Sequence, residues 1–280
     1  MGKGKRPNRF RRFLNELVDG KTELWPRVAI EDQPEPVFFF LLVNPYGGST
    51  ALAKILDTSP KAMTLHDSGE GQWLIPGLHQ RNHWFADMEV DWESVRSVWL
   101  NVYQQKKREN DEIAVVIEKS PPNVVRAEQF RQKFAHTRFL GFVRSPYATC
   151  SSVHHRYWMP ANLFPAWRAK KFTLYATAWL RRASLVKEFV EKHSLEYFTY
   201  EQFCADTPAC VEKINRACPE LGGIDAGAQI KVKNKQVQTF TNQNERRIVL
   251  LKPADIQAIN QVLETRPDVL EFFGYELMQA

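Results

Sequence analysis

The chain has few cysteines, and their spacing excludes two classes of protein. The four are Cys150, Cys204, Cys210 and Cys218. No CxxC pair occurs, and no cysteine–histidine spacing is typical of a zinc site. A small domain held together by disulfides is therefore excluded, and a reducing, cytoplasmic compartment is predicted.

Long hydrophobic runs are also missing. The strongest run, Val37–Val43, has seven residues, far fewer than the ~18 that a membrane-spanning helix needs. It also begins too late to be the core of a signal peptide, and no apolar segment follows the basic residues 1–12. The sequence thus predicts neither a membrane span nor secretion.

An excess of positive charge is absent from most of the chain, although the net charge is +6. Residues 1–12 carry six lysines and arginines and no acid, and the remaining chain has equal numbers of basic and acidic residues. Residues 1–34 are therefore interpreted as a basic arm and lead-in, either solvated or in weak contact with an anionic partner. The neutral remainder, 35–280, is predicted to form one domain that does not bind nucleic acid.

Apolar runs of strand length alternate with amphipathic segments of helical length. Strands are predicted at Val37–Val43, 62–66, 113–117, 139–143 and 195–200, and helices at 49–58, 92–107, 124–134, 146–158, 172–192, within 201–217 and at 253–264. This alternation predicts an α/β fold, a single domain with a mostly parallel central sheet flanked by helices. Residues 231–243 are polar without a period and are interpreted as a possible mobile lid.

Polar clusters follow four of the predicted strands. They lie at residues 46–50, 66–72, 118–123 and 144–152. Because ligands of open parallel sheets bind beyond the carboxyl ends of the strands, we expect these clusters to meet at one edge.

The first cluster is a glycine-containing turn between a strand and a helix. Gly47 and Gly48 allow close approach of the backbone to a ligand, while Ser49 and Thr50 can cap the helix or bind an anion. No lysine stands where a Walker A motif requires one, and Tyr46 precedes the glycines. An ordinary turn with a helix cap remains the alternative.

The second cluster has Arg144 at the end of a strand, followed by Ser145 at a predicted helix N-cap. Ser145, Thr149 and Ser152 share one helix face, and an arginine with hydroxyl groups suits a phosphate monoester. A structural ion pair of Arg144 is the alternative. Two such turns indicate a ligand with two phosphate-like groups, such as a nucleotide that is anionic at both its 5′ and 3′ ends.

These residues resemble the sulfotransferases that use 3′-phosphoadenosine 5′-phosphosulfate (PAPS), over roughly residues 36–205. Residues 45–50 resemble the family's P-[RK]-S-G-T-T loop, which binds the 5′-phosphosulfate. Arg144 and Ser152 match the arginine and the serine eight residues later that bind the 3′-phosphate. The resemblance implies a P-loop-like sulfotransferase fold and transfer of a sulfuryl group from PAPS to an acceptor hydroxyl, without a metal.

The chain is most similar to the branch that contains the tyrosylprotein sulfotransferases. Residues 69–76 stand where that branch has G-E-E-T-R-V-I-P, which implies that Glu70 is the catalytic base. The same resemblance implies that Lys119 stabilises the leaving phosphate, and that Arg156 and Tyr200 contact the donor nucleotide. In the implied mechanism, Glu70 would take the proton of the acceptor hydroxyl. Positioning of the reactants and stabilisation of the negative charge on the leaving phosphate would account for most of the rate.

Several alternatives stay open. Tyr46 replaces the family's basic loop residue; Lys54, His66 or a lysine within 231–235 could supply the missing charge. His66 is a rival base, and both Glu70 and Lys119 could be ordinary surface groups. The rival functions are a catalytically silent nucleotide-binding protein and a P-loop-like nucleotide kinase. The acceptor, a small molecule or an exposed hydroxyl, and the oligomeric state are not specified by the sequence.

Overall fold

A computed structural model describes residues 34–79, 83–156, 165–230 and 240–280, with the side chains of residues 165–167 left out. Five parallel strands form one sheet in the order β2-β3-β1-β4-β5. Their bounds are Val37–Val43 (β1), Ala62–Thr64 (β2), Val115–Glu118 (β3), Thr137–Val143 (β4) and Tyr197–Thr199 (β5).

Helices connect the strands and cover both faces of the sheet. Their bounds are Ser49–Leu56 (α1), Trp92–Glu109 (α2), Ala127–Lys133 (α3), Pro146–Arg156 (α4), Pro165–His193 (α5), Tyr200–Ala205 (α6), Thr207–Ala217 (α7), Glu245–Ile248 (α8), Pro253–Leu263 (α9) and Pro267–Phe273 (α10). Two 3-10 helices, Gly71–Leu74 and Pro121–Val125, follow β2 and β3.

The central strand β1 divides the core into two halves because successive side chains of a strand point to opposite faces. Phe38, Phe40 and Leu42 pack with α2, α3 and α5 on one face. The alternate residues of β1 pack with α1, α6 and α7 on the other face. From Phe38 to Val43 these side chains are buried, and Val37 is partly buried, which explains why β1 reads as a continuous apolar run rather than an alternating one.

The α/β class, the single domain and the parallel central sheet are confirmed, and β1 has the predicted bounds. The predicted helical stretch 201–217 is divided into two helices at Asp206, whose side chain accepts a hydrogen bond from Ala209 N at the start of α7. The predicted helix 124–134 begins as a 3-10 turn at Pro121, and α5 begins at Pro165 rather than 172. The short helices α8 and α10 were not predicted.

Three sequence predictions fall partly or wholly outside the described residues. They concern the basic arm 1–34, the end of the helix predicted at 146–158, and residues 231–239 of the predicted lid. Within the described ranges, no helix is both long enough and apolar enough to cross a membrane.

Candidate active site

The four polar clusters meet at the carboxyl edge of the sheet. Lys119 Nζ donates to Thr50 Oγ1 at 3.3 Å, and Lys119 N donates to the carbonyl of Gly69 at 2.9 Å. These two bonds connect the first three clusters. The fourth joins them through Arg144, whose Nη1 donates to the carbonyl of Tyr46 at 3.1 Å.

The first turn leaves the amino end of α1 open. Gly48 has φ 88°, and a Cβ at this position would lie 2.6 Å from Cδ2 of Tyr200, so only glycine fits. Tyr46 also adopts a positive φ of 62°. Within the described ranges, no group accepts a hydrogen bond from the N–H groups of Gly48, Ser49 and Thr50. Together with the positive end of the helix dipole, these donors form an anion-binding geometry.

Glu70 and Lys119 form an ion pair beside this turn. Lys119 Nζ lies 2.9 Å from Glu70 Oε1, and the lysine side chain is 1% exposed against 19% for the glutamate. The other carboxylate oxygen, Oε2, accepts hydrogen bonds from Gln72 Nε2 at 2.9 Å and from Trp73 Nε1 at 3.0 Å. The pair thus places a fixed carboxylate and a buried cation next to an open helix end.

Glu118 is the buried scaffold beneath this pair. Its carboxylate accepts from the backbone of Gly71 at 2.8 Å, from the backbone and hydroxyl of Ser120, and from the amide of Asn123. Burial raises the pKa of Glu118, and the hydrogen bonds oppose that rise. By joining Gly71 to β3, Glu118 fixes the loop that carries Glu70 relative to Lys119.

Arg144 is held from several directions in the second turn. Its Nε donates to Asn244 Oδ1 at 2.8 Å, and its guanidinium carbon lies 4.5 Å from the centre of the Tyr200 ring. Burial lowers its pKa, an effect partly offset by Tyr200 and Glu201. Its Nη2 is buried and has no hydrogen-bond partner in the described part of the chain. A buried guanidinium donor without a partner is rare in folded proteins and makes Arg144 a candidate ligand-binding group.

The amino end of α4 carries a carboxylate from a distant part of the same chain. Ser145 does act at the helix start, since its Oγ accepts from Ala148 N at 3.5 Å. Its backbone N–H donates at 3.0 Å to Glu201 Oε1. The same carboxylate accepts from Asn244 Nδ2 and, at 2.8 Å, from the hydroxyl of Tyr275. A carboxylate of the chain therefore lies at the start of α4, in the same network as Arg144.

The remaining predicted nucleotide contacts lie along α4 and α6. Ser152 Oγ donates to the carbonyl of Ala148 at 2.7 Å, and Arg156 is exposed at the end of α4. Thr149 Oγ1 is buried without a partner among the described groups. Tyr200 donates through its hydroxyl to the carbonyl of Thr241 at 2.9 Å, and burial raises its pKa to about 12.

His66 is directed to a local contact. Its Nδ1 lies 2.8 Å from Ser68 Oγ and accepts from Ser68 N at 3.1 Å. No hydrogen bond joins its ring to Glu70 or Lys119 in the part of the chain that the structure describes. The structure therefore brings Glu70, rather than His66, into contact with the buried lysine.

Four residues at this edge were missed by sequence reasoning. Glu201 follows Tyr200 directly and could have been considered with it, whereas Asn244, Tyr275 and Trp73 carry no local signal. Asn244 and Tyr275 reach the site from segments about 100 or more residues beyond Arg144. Among the described residues, no group of three or more His, Cys, Asp or Glu side chains could hold a metal ion.

No protein family and no curated protein matches the sequence of the chain. Its structure is similar to a sulfotransferase from Mycobacterium avium, at 13% identity and a TM-score of 0.56, covering 95% of this chain and 83% of that one. A sulfotransferase from Alicyclobacillus acidocaldarius is 14% identical with a TM-score of 0.48, covering 88% and 98%. The sulfotransferase domain of a Synechococcus PCC 7002 olefin synthase is 15% identical with a TM-score of 0.47, covering 82% and 96%. The Mycobacterium avium comparison shows that this chain has the fold of a sulfotransferase.

Proposed function

We propose that the protein is a PAPS-dependent sulfotransferase that transfers a sulfuryl group to an acceptor hydroxyl. The observation that carries the proposal is the buried Lys119, paired with Glu70 at 2.9 Å beside the open amino end of α1. Burying a lysine is costly unless a partner or a bound anion compensates its charge. A cation at this position is suited to stabilise negative charge on a leaving phosphate.

The first turn suits the 5′ end of the donor. The N–H groups of Gly48, Ser49 and Thr50 and the ammonium of Lys119 would hold the 5′-phosphate. Glu70 would accept the proton of the acceptor hydroxyl while the hydroxyl oxygen of the acceptor bonds to sulfur. At the same time the bond from sulfur to the phosphate oxygen breaks. The electron pair remains on that phosphate oxygen, where Lys119 stabilises it.

The second turn would hold the 3′-phosphate. Arg144 offers the unpartnered Nη2, and Tyr200 supports the guanidinium by ring contact. Ser152 and Arg156 keep the roles that the family resemblance implies, on the same helix as Thr149. The carboxylate of Glu201 opposes phosphate binding here, because it lies in the same hydrogen-bond network and carries a negative charge.

The residues suggested to replace the basic side chain missing at position 46 either have other partners or, like the lysines within 231–235, lie outside the described residues. Of the residues suggested to replace the missing basic side chain, Lys54 pairs with Asp57 at 3.8 Å and His66 bonds to Ser68. Lys119 reaches the turn directly through Thr50. The resemblance already matches Lys119 to a second family lysine, distinct from the basic loop residue, so Lys119 does not replace the charge that is missing at position 46.

A catalytically silent nucleotide-binding protein is the second candidate, favoured by Tyr46. A nucleotide kinase has less support, because the turn lacks the Walker lysine. For the leading function, we propose a cytoplasmic enzyme acting on a small-molecule or exposed hydroxyl, without a metal.

Transfer of label from ³⁵S-PAPS to a panel of hydroxyl compounds tests the proposal. Glu70→Gln should lower turnover by roughly 10²–10⁴-fold, while calorimetry shows binding of adenosine 3′,5′-bisphosphate close to that of the unmodified protein. Equal turnover in the variant would remove Glu70 from the mechanism.

A thermal-shift measurement separates the rival functions. Stabilisation by adenosine 3′,5′-bisphosphate but not ATP supports the sulfotransferase, and the reverse supports a kinase. A ligand at ~100 times its Kd should add about 2.7 kcal/mol, which is readily measured. Stabilisation without any label transfer would support the silent nucleotide-binding protein.

A further inference from the structure

Trp73 is exposed and yet fixed in place. The residue is 50% exposed to solvent. Its Nε1 nevertheless donates to Glu70 Oε2 at 3.0 Å, and its ring centre lies 5.1 Å from that of His79. A tryptophan held at one edge with its face left open presents a flat apolar surface of defined orientation.

Glu70 is the group that this tryptophan orients. Lys119 holds Oε1, while Gln72 and Trp73 both donate to Oε2, so the carboxylate is fixed from two sides. Loss of one donor would leave Lys119 and Gln72 in place but loosen the carboxylate. Misplacing a base by small distances lowers turnover without changing how the acceptor binds.

The acceptor must approach the same carboxylate. A hydroxyl within hydrogen-bonding distance of Glu70, about 2.6–3.2 Å, brings the carbon skeleton behind it close to the open face of Trp73. A planar aromatic skeleton gains most from that face, because stacked rings are attracted beyond their buried area. A sugar needs many polar partners, whereas the amide of Gln72 is already bonded to Glu70.

We propose that Trp73 is a positioning and specificity residue: its N–H fixes Glu70, and its open face selects acceptors whose hydroxyl is carried by an aromatic ring. This inference rests on the proposed function, since it takes Glu70 as the base.

Two substitutions separate the two roles. Trp73→Phe keeps a ring but removes the N–H donor, and it should lower kcat about tenfold with the KM for 2-naphthol unchanged. Trp73→Leu removes the aromatic ring and the N–H donor. It should therefore also raise the KM for 2-naphthol about tenfold, while the KM for 1-octanol stays unchanged. Phe85→Leu is the matched control, because Phe85 is similarly exposed at 52% and has no contact with Glu70 among those described.

Calorimetric titration of 2-naphthol in the presence of adenosine 3′,5′-bisphosphate gives a readout that does not depend on turnover. Trp73→Leu should weaken this binding about tenfold, and Trp73→Phe and Phe85→Leu should not. Unchanged naphthol binding and KM in Trp73→Leu, or a preference of the unmodified protein for glucose, would overturn the inference. If the unmodified protein transfers no label from PAPS but binds 2-naphthol in a way that depends on Trp73, the proposed sulfotransferase function would be refuted. The acceptor-binding role of Trp73 would then still stand.

Discussion

The two strand–turn–helix units of the site are built alike and end differently. β1 passes through Gly47 and Gly48 into α1, whose first N–H groups have no acceptor in the described ranges. β4 passes through Arg144 into α4, where Glu201 already accepts from the N–H of Ser145. The first helix end has N–H groups without an acceptor among the described residues, whereas at the second the N–H of the residue before the helix is bonded to a carboxylate from the same chain.

The difference shows that a strand–turn–helix pattern predicts where a helix begins. It does not predict whether the N–H groups at that point can bind an anion or are already bonded within the chain. The open turn combines the Lys119–Glu70 ion pair with the positive end of the α1 dipole, so the donors it offers to an anion are mainly backbone N–H groups. The closed turn combines Arg144 with Glu201, and Asn244 bridges the two. Nucleotide binding should therefore depend on backbone and Lys119 at the first turn, and on the balance between Arg144 and Glu201 at the second.

The largest effect is expected at the first turn. Lys119→Met keeps the length of the side chain but removes its charge, and it should lower label transfer from PAPS by about 10²–10³-fold, as for loss of a single transition-state donor. Lys61→Met is the control, because Lys61 is exposed at the far end of β2. A variant that keeps more than half of the normal turnover would show that the first turn does not need this charge.

A second test changes the backbone of the open turn. Gly48→Ala forces an L-residue to φ 88° and places a Cβ 2.6 Å from the ring of Tyr200. We expect a loss of about 2–3 kcal/mol in the free energy of unfolding, from strain plus the clash, measured by urea denaturation.

Gly222→Ala is the matched control for this clash. Gly222 also has a positive φ, 43°, but a Cβ there would have no neighbour within 4 Å. Gly222→Ala should therefore lower the free energy of unfolding only by the backbone strain, about 1 kcal/mol. Equal losses in the two variants would mean that contact with Tyr200 does not shape the first turn.

The smallest effect is expected at the closed turn. Glu201→Gln keeps an oxygen that can accept from Ser145 while removing the negative charge beside Arg144. Removing about 1 kcal/mol of repulsion should tighten binding of adenosine 3′,5′-bisphosphate about fivefold at low salt, measured by calorimetry. Arg144→Ala should act in the opposite direction and weaken it. Weaker binding in Glu201→Gln would show that the carboxylate builds the site rather than opposing the ligand.

The elements that sequence patterns predicted well are those with local causes. β1 was located to the residue because seven apolar residues stand between Pro36 and Asn44. α2 begins at the predicted residue because the side chain of Asp91 accepts a hydrogen bond from Ser94 N at 3.1 Å. The break at Asp206 also had a local signal, a capping aspartate followed by Pro208, but the apolar pattern hid it. α8 has only four residues, too few to show a helical period.

The features of the candidate site likewise fall into those with local causes and those that depend on distant contacts. The glycine turn, Arg144 at a strand end and the convergence at one sheet edge follow from patterns of neighbouring residues and from the rule for parallel sheets. The contact of Lys119 with Glu70 spans 49 residues. The sequence order of the elements could not specify this contact, since it depends on β3 lying between β2 and β1.

Residue chemistry along short stretches fixed where strands and helices begin, which side chains face the core, and which backbone positions demand glycine. Packing between distant segments settled the strand order, the burial of Lys119 against Glu70, and the filling of the α4 end by Glu201, Asn244 and Tyr275. The reason is physical: propensity and periodicity act over a few neighbouring residues, whereas the solvation and partners of a charge depend on every segment that folds around it.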